Sequence, residues 1–101
     1  MTKQRGTFCG FPLEEVRILG LHPELVEMQE EVYKLVLCDK RGPKWELRPI
    51  LFQENTRVPL SLSLYHRNRD NKKMHYQKVY RAANKAGVQG ILDYIVESQL
   101  S

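Results

Sequence analysis

The plainest pattern in the chain is the run "VPLSLSLYHR", in which Val58, Leu60, Leu62 and Leu64 alternate with Pro59, Ser61, Ser63 and Tyr65. A period of two places successive side chains on opposite faces of an extended backbone. The run therefore predicts a strand with one apolar face and one face left to water or a partner. Upstream, "VYKLVLC" is dense in β-favouring residues and predicts a strand over about 31–38. In "CDKRGPKW" the residues Asp39, Gly42 and Pro43 fall between two apolar runs. Gly accepts positive φ and Pro fixes its own, so this is a turn, and it joins the strand to "KWELRPILF" as a hairpin. Pro49 has no N–H for a ladder, which puts it at an edge or a bulge. "QENTR" reads as the next turn.

Helical spacing is expected elsewhere. "FPLEEVRILG" has Pro12 suited to a first helical turn, Glu14 and Glu15 near the positive end of the dipole, and Gly20 as a stop, with a strand through "EVRILGL" as the other reading. "HPELVEMQEE" predicts a helical turn over about 23–30, with Pro23 at its start and Leu25, Met28 and Val32 three and four residues apart. Two helices are expected at the C-terminal end. The first carries Tyr76, Val79, Tyr80, Ala83 and Ala86 on one face and stops at Gly87; the second repeats Val88, Ile91, Leu92, Ile95 and Val96 at helical spacing and starts near Gly90. The predicted fold is α+β: a small antiparallel sheet of three to four strands with two C-terminal helices packed on one face. Residues 1–10 lack periodicity and are expected to be a loose N-terminal segment, with 11–101 forming a single domain.

Composition agrees with one folded unit: 101 residues, 42% hydrophobic and 28% charged, is a globular balance. No apolar run approaches the ~18 residues that would span a bilayer. The first residues, "MTKQRGTFCGFPLEE", include no apolar signal core, so a cytoplasmic location is expected. Cys9 and Cys38 form no C-x-x-C pair and have no histidine at ligand spacing, so both are expected to be reduced, with no metal or cofactor site.

Charge changes the picture most. Between Tyr65 and Lys85 stand seven cations, Arg67, Arg69, Lys72, Lys73, Lys78, Arg81 and Lys85, against Asp70 alone. That net of +6 within a total of +4 leaves −2 for the rest, part of it in Glu24, Glu27, Glu30 and Glu31. The chain is thus electrically two-sided. On the helical reading, Lys73, Gln77, Arg81 and Lys85 form one cationic stripe, while Arg67, Arg69 and Lys72 share the preceding loop with Asn68 and Asn71. Arg forks, Lys point charges and amide donors are the groups that phosphate recognition uses. Tyr65, His66 and His75 interleave them as candidate stacking partners for unpaired bases.

Two other patterns bear on function. "AANKAGVQGILDYIV" resembles the turn of helix-turn-helix DNA readers through Ala83, Gly87 and Val88, which implies a second helix in the major groove. Asp93 then falls at an apolar position of that motif, and a helical hairpin closing the core accounts for the same residues. His66, Asp70, Lys72 and His75 are close enough in sequence for acid/base cleavage of RNA. No phosphate-cradling Gly loop, H-E-x-x-H or nucleophile elbow is present, and the expected protein is not an enzyme. The reading carried forward is a nucleic-acid-binding domain for RNA or single-stranded DNA. Its alternative is an interaction module that docks an acidic protein surface or forms a homodimer through the Ser61/Ser63 face. No membrane partner is expected.

Overall fold

The computed structural model describes residues 6–100. Chain order begins with two short paired strands, β1 (Thr7–Phe8) and β2 (Phe11–Pro12), and a 3-10 turn over Leu13–Glu15. Five antiparallel strands follow, each paired with the one before it: β3 (His22–Gln29), β4 (Val32–Asp39), β5 (Gly42–Phe52), β6 (Pro59–Arg67) and β7 (Met74–Tyr80). One helix, α1 (Lys85–Leu100), ends the described chain.

Register sorts the strand residues into two faces. Leu35, Leu47 and Leu64 are cross-strand neighbours, as are Leu37, Trp45 and His66. Against this row α1 packs Val88, Ile91, Leu92 and Ile95, and the N-terminal segment adds Phe8, Phe11, Val16, Ile18 and Leu21. Each such side chain contributes about 1.5–3 kcal/mol when removed from water. The other face carries Val36, Glu46 and Tyr65 in one row, and Arg48 beside Ser63 in the next. Every described element outside the sheet joins the core on the first face, so the second face is open only in having no such element on it. Val36, Glu46, Ser61 and Ser63 at its centre are buried, and Tyr76 and Val79 at its β7 edge are exposed.

The structure corrects the predicted fold. The sheet has five strands with a separate two-stranded pair, and a single helix stands where two were expected. Both misread segments are edge strands that contain a bulge. In β7, Leu64 opposes Lys78 while Tyr65 opposes Tyr76, so Gln77 is an extra residue. That insertion puts Tyr76 and Val79, three apart, on the same face of a strand, and three is also a helical spacing. In β3, Glu27 opposes Tyr33 and Gln29 opposes Val32, so Met28 is extra, and the helical spacing of Leu25, Met28 and Val32 runs across this bulge and the turn into β4. The cationic stripe expected on a helix through 73–85 therefore does not exist as a helix face. The turn at 39–43 and the strand from Pro59 are as predicted, but the expected split of faces is not: Ser61 and Ser63 are as buried as Leu62 and Leu64, while Val58 and Leu60 are exposed. Pairing of β4 with β5 stops at Leu47, so the missing N–H of Pro49 falls where that ladder has ended.

Gly87, expected to terminate a helix, sits instead in the first turn of α1. Asn84 caps that turn, its Oδ1 accepting the Gly87 N–H at 2.8 Å. A Cβ on Gly87 would lie 1.8 Å from the Ala82 carbonyl oxygen. Close passage of the chain into α1, not helix termination, requires glycine here.

Phe8 is buried in the core; of the segment expected to be loose, residues 1–5 lie outside the described residues. Both sheet edges are guarded: β3 by Pro23, Glu24 and Glu27, β7 by Lys78, and each by its bulge. Acidic and basic residues thus occupy opposite edges of one sheet. Among the described residues no helix is long and apolar enough to cross a membrane.

Candidate nucleic-acid interface

The β4–β5 turn and the β6–β7 loop project from the same end of the sheet. Between them lies an open groove of about 690 Å³ lined by Arg41, Lys44, Arg69 and Lys72, with His66, Glu46 and Met74 among its other walls. Local chemistry shapes both rims. Asp39 accepts the Arg41 N–H on Oδ1 at 2.8 Å, which tightens the turn. In the loop, Asn68 Oδ1 accepts the N–H groups of Asp70 at 2.7 Å and Asn71 at 3.1 Å, and Asn71 Oδ1 accepts that of Lys73 at 2.9 Å. The side-chain oxygens of Asn68 and Asn71 thus hold the loop that presents Arg69 and Lys72, and their amide N–H groups are not used in these bonds. Lys72 itself adopts φ of 62°.

Lys44 enters the groove through a third bulge. Leu37 opposes Trp45 and Cys38 opposes Pro43, leaving Lys44 as the extra residue of β5. A bulge re-aims the side chain it carries. Lys44 Nζ reaches across to Gln99 Oε1 at 2.8 Å, close to the end of α1.

Both carboxylates of the lining are already neutralised. Asp39 is held by Arg67, with Nη2 2.6 Å from Oδ2 and Nη1 3.2 Å from Oδ1. That contact keeps Asp39 down at about 2. Glu46, 6% exposed, is gripped by Lys34 Nζ at 3.1 Å and Arg48 Nη2 at 2.9 Å. Among the described residues, neither Arg41, Lys44, Arg69 nor Lys72 forms an ion pair with a carboxylate. The groove therefore presents four uncompensated positive charges. His66 stacks on Trp45 with ring centroids 3.9 Å apart, and burial, then the charges of Lys44 and Arg67, push its pKa down. It stands neutral beside the cations.

The residues singled out from sequence are dispersed by the sheet. Arg69 and Lys72 line the groove, and so does Arg67, though its guanidinium is committed to Asp39 and to the Gly42 and Pro43 carbonyls. Lys73 is exposed in the same loop. Lys78 turns to the helix side, its Nζ 4.9 Å from the Tyr80 ring centroid and 4.5 Å from that of Tyr94. Arg81 and Lys85 follow the far end of β7, about 20 Å along the strand from the loop. Of the candidate stacking residues, His66 lines the groove and opposes the exposed His75, while Tyr65 lies on the open face under the Arg48 guanidinium at 4.1 Å. The acid/base set divides: His66 and Lys72 reach the groove, and Asp70 and His75 are not among its walls. The helix-turn-helix resemblance fails because α1 is continuous from Lys85, and among the described residues the segment leading into it is strand β7, not a helix.

Sequence reasoning missed Arg41 and Lys44. Their signal was present as three cations within "DKRGPK", but the turn chemistry of Asp39, Gly42 and Pro43 accounted for that segment by itself. Compared with protein-family models, curated proteins and solved structures, the chain matches none.

Proposed function

We propose that this domain binds nucleic acid by its phosphate backbone in the groove between the β4–β5 turn and the β6–β7 loop, without performing chemistry on it. One observation carries the reading: Arg41, Lys44, Arg69 and Lys72 converge on one groove from two separate hairpin ends, while both carboxylates of its lining are already paired. Unpaired cations at close range repel one another, and a chain of phosphates removes that repulsion by supplying anions at regular intervals. Arg41 and Arg69 offer forked donors to phosphate oxygens; Lys44 and Lys72 offer point charges. The proposed setting is the cytoplasm, a reading supported by the two free thiols, Cys9 and Cys38.

The test is a titration of labelled RNA and DNA oligonucleotides at two salt concentrations. Four phosphate contacts imply an affinity loss of about 50- to 150-fold between 50 and 200 mM salt. The paired substitution Arg69→Glu with Lys72→Glu is expected to abolish binding. An affinity independent of salt would refute backbone binding. Equal affinity for polyglutamate would move the reading to an acidic protein surface.

A further inference from the structure

We infer that the open face of the sheet continues the groove as a base-stacking subsite centred on Tyr76, so that the ligand is nucleic acid with unpaired bases. This rests on the groove as the phosphate site and adds what the ligand must be beyond a polyanion.

Tyr76 was expected in the core through its helical spacing, yet it is 57% exposed on the sheet face opposite α1. An aromatic side chain this exposed in the middle of a strand leaves roughly half of its apolar area in water, an arrangement that a stacking ligand relieves. Its position ties it to the groove. Met74, a groove wall, precedes it by two residues on the same face, about 7 Å along the strand. Glu46, another wall, is the cross-strand neighbour of Tyr65, and Tyr65 is the neighbour of Tyr76. A nucleic-acid strand leaving Arg69 and Lys72 toward the sheet therefore passes Met74 and meets Tyr76 as the first aromatic ring on that face.

The ring is also held in place. Tyr65 meets it edge to face, with centroids 6.0 Å apart and planes at 74°. Arg48 lies over Tyr65 at 4.1 Å and is fixed from below by Glu46, its Nη2 2.9 Å from Oε1. Glu46, Arg48, Tyr65 and Tyr76 form a chain of contacts from the sheet centre to its edge, and Tyr76 is the exposed end. Pre-organisation of this kind reduces the ordering cost of binding. Beyond Tyr76, Val79 continues an apolar floor on the same face, 38% exposed. Bases in a duplex are stacked on one another and offer this surface only edges and phosphates; unpaired bases offer a π-face, whatever their identity. The subsite thus selects for single-strandedness and not for sequence.

The experiment is fluorescence anisotropy on the full chain with four probes: a short single strand, the same sequence as duplex, an abasic single strand, and inorganic polyphosphate as competitor. The wild-type protein is expected to favour the base-bearing single strand. Tyr76→Ala is expected to weaken that complex about 5- to 150-fold and to leave the abasic strand, the duplex and polyphosphate unchanged, while Tyr76→Phe retains affinity. Equal affinity for single strand and duplex overturns the inference, as does single-strand binding that Tyr76→Ala leaves intact. If Lys72→Glu abolishes binding while Tyr76→Ala does not, the groove stands and the stacking subsite alone falls. If no probe binds, both fall together.

Discussion

Arg67 and Asp39 meet past the start of β5 as a two-point ion pair, Nη2 to Oδ2 at 2.6 Å and Nη1 to Oδ1 at 3.2 Å. The pair ties β6 to the β4–β5 turn, and further bonds from Arg67 to the Pro43 and Gly42 carbonyls complete the tie. Asp39 in turn accepts the Arg41 N–H, so one carboxylate fixes both the strut and the turn that carries a groove cation. Arg67, one of the seven cations expected to contact ligand, holds the site together from behind.

Acid should release this strut. The hydrogen bond from Arg67 lowers Asp39 from 3.8 to about 2. A depressed carboxylate adds stability that is present above its unfolded value and disappears as pH falls through the folded one. Thermal melts followed by circular dichroism should therefore show Asp39→Asn less stable than wild type at neutral pH, with the difference closing between about pH 4 and 2. A difference that persists unchanged to pH 2 would remove the ion pair as its cause.

His66 reports on occupancy of the groove. Burial, Lys44 and Arg67 all disfavour its protonation. A bound polyanion beside it offsets the two cations and favours the imidazolium, so binding should raise its pKa, and by linkage affinity should rise as pH falls. Titration of the His66 ring protons by NMR, with and without inorganic polyphosphate, measures this directly. An unchanged midpoint would place the ligand elsewhere.

Two helical glycines should respond in opposite directions to alanine. At Gly87 the new Cβ meets the Ala82 carbonyl at 1.8 Å, so the backbone must move, and a loss of about 3 kcal/mol or more is expected. At Gly90 the nearest atom is Tyr80 Cε2 at 3.6 Å, an ordinary contact. There the gain in helix propensity should stabilise the protein by up to about 1 kcal/mol. Urea unfolding of both variants checks the pair, and destabilisation by Gly90→Ala would mean the helix packs more tightly against Tyr80 than the structure places it.

Charge reversals should separate by location, not by sequence proximity. Lys72→Glu, in the groove, should weaken nucleic-acid binding strongly and lower its salt slope by about one to two. Arg81→Glu, at the other end of β7, should change it little. Equal losses would mean that the ligand follows the β7 edge and not the groove.

Much of the sheet is legible in the order of residues. The alternation of Leu62 and Leu64 with Ser61 and Ser63 needs nothing but the two-residue period of an extended chain, and the 39–43 turn needs nothing but the backbone preferences of Gly42 and Pro43. The charge asymmetry was equally visible, since it depends on counting side chains and not on placing them. Of the groove, Arg69 and Lys72 could be named because the loop that presents them is local.

Met28, Lys44 and Gln77 mark where local reasoning stopped. Each is the extra residue of a bulge, and a bulge is defined only by the partner strand that it slips against. With Gln77 inserted, Tyr76 and Val79 take on a three-residue step that in isolation reads as helix, and the spacing of Leu25, Met28 and Val32 crosses the Met28 bulge into the next strand. With Lys44 inserted, a cation on a strand turns into a groove. The sequence by itself determined which segments are apolar on one side and where the cations lie along the chain. Only strand pairing decided that Tyr76 faces outward and that Arg41 and Lys44 join Arg69 and Lys72, because those relations are made by hydrogen bonds between residues distant in the chain.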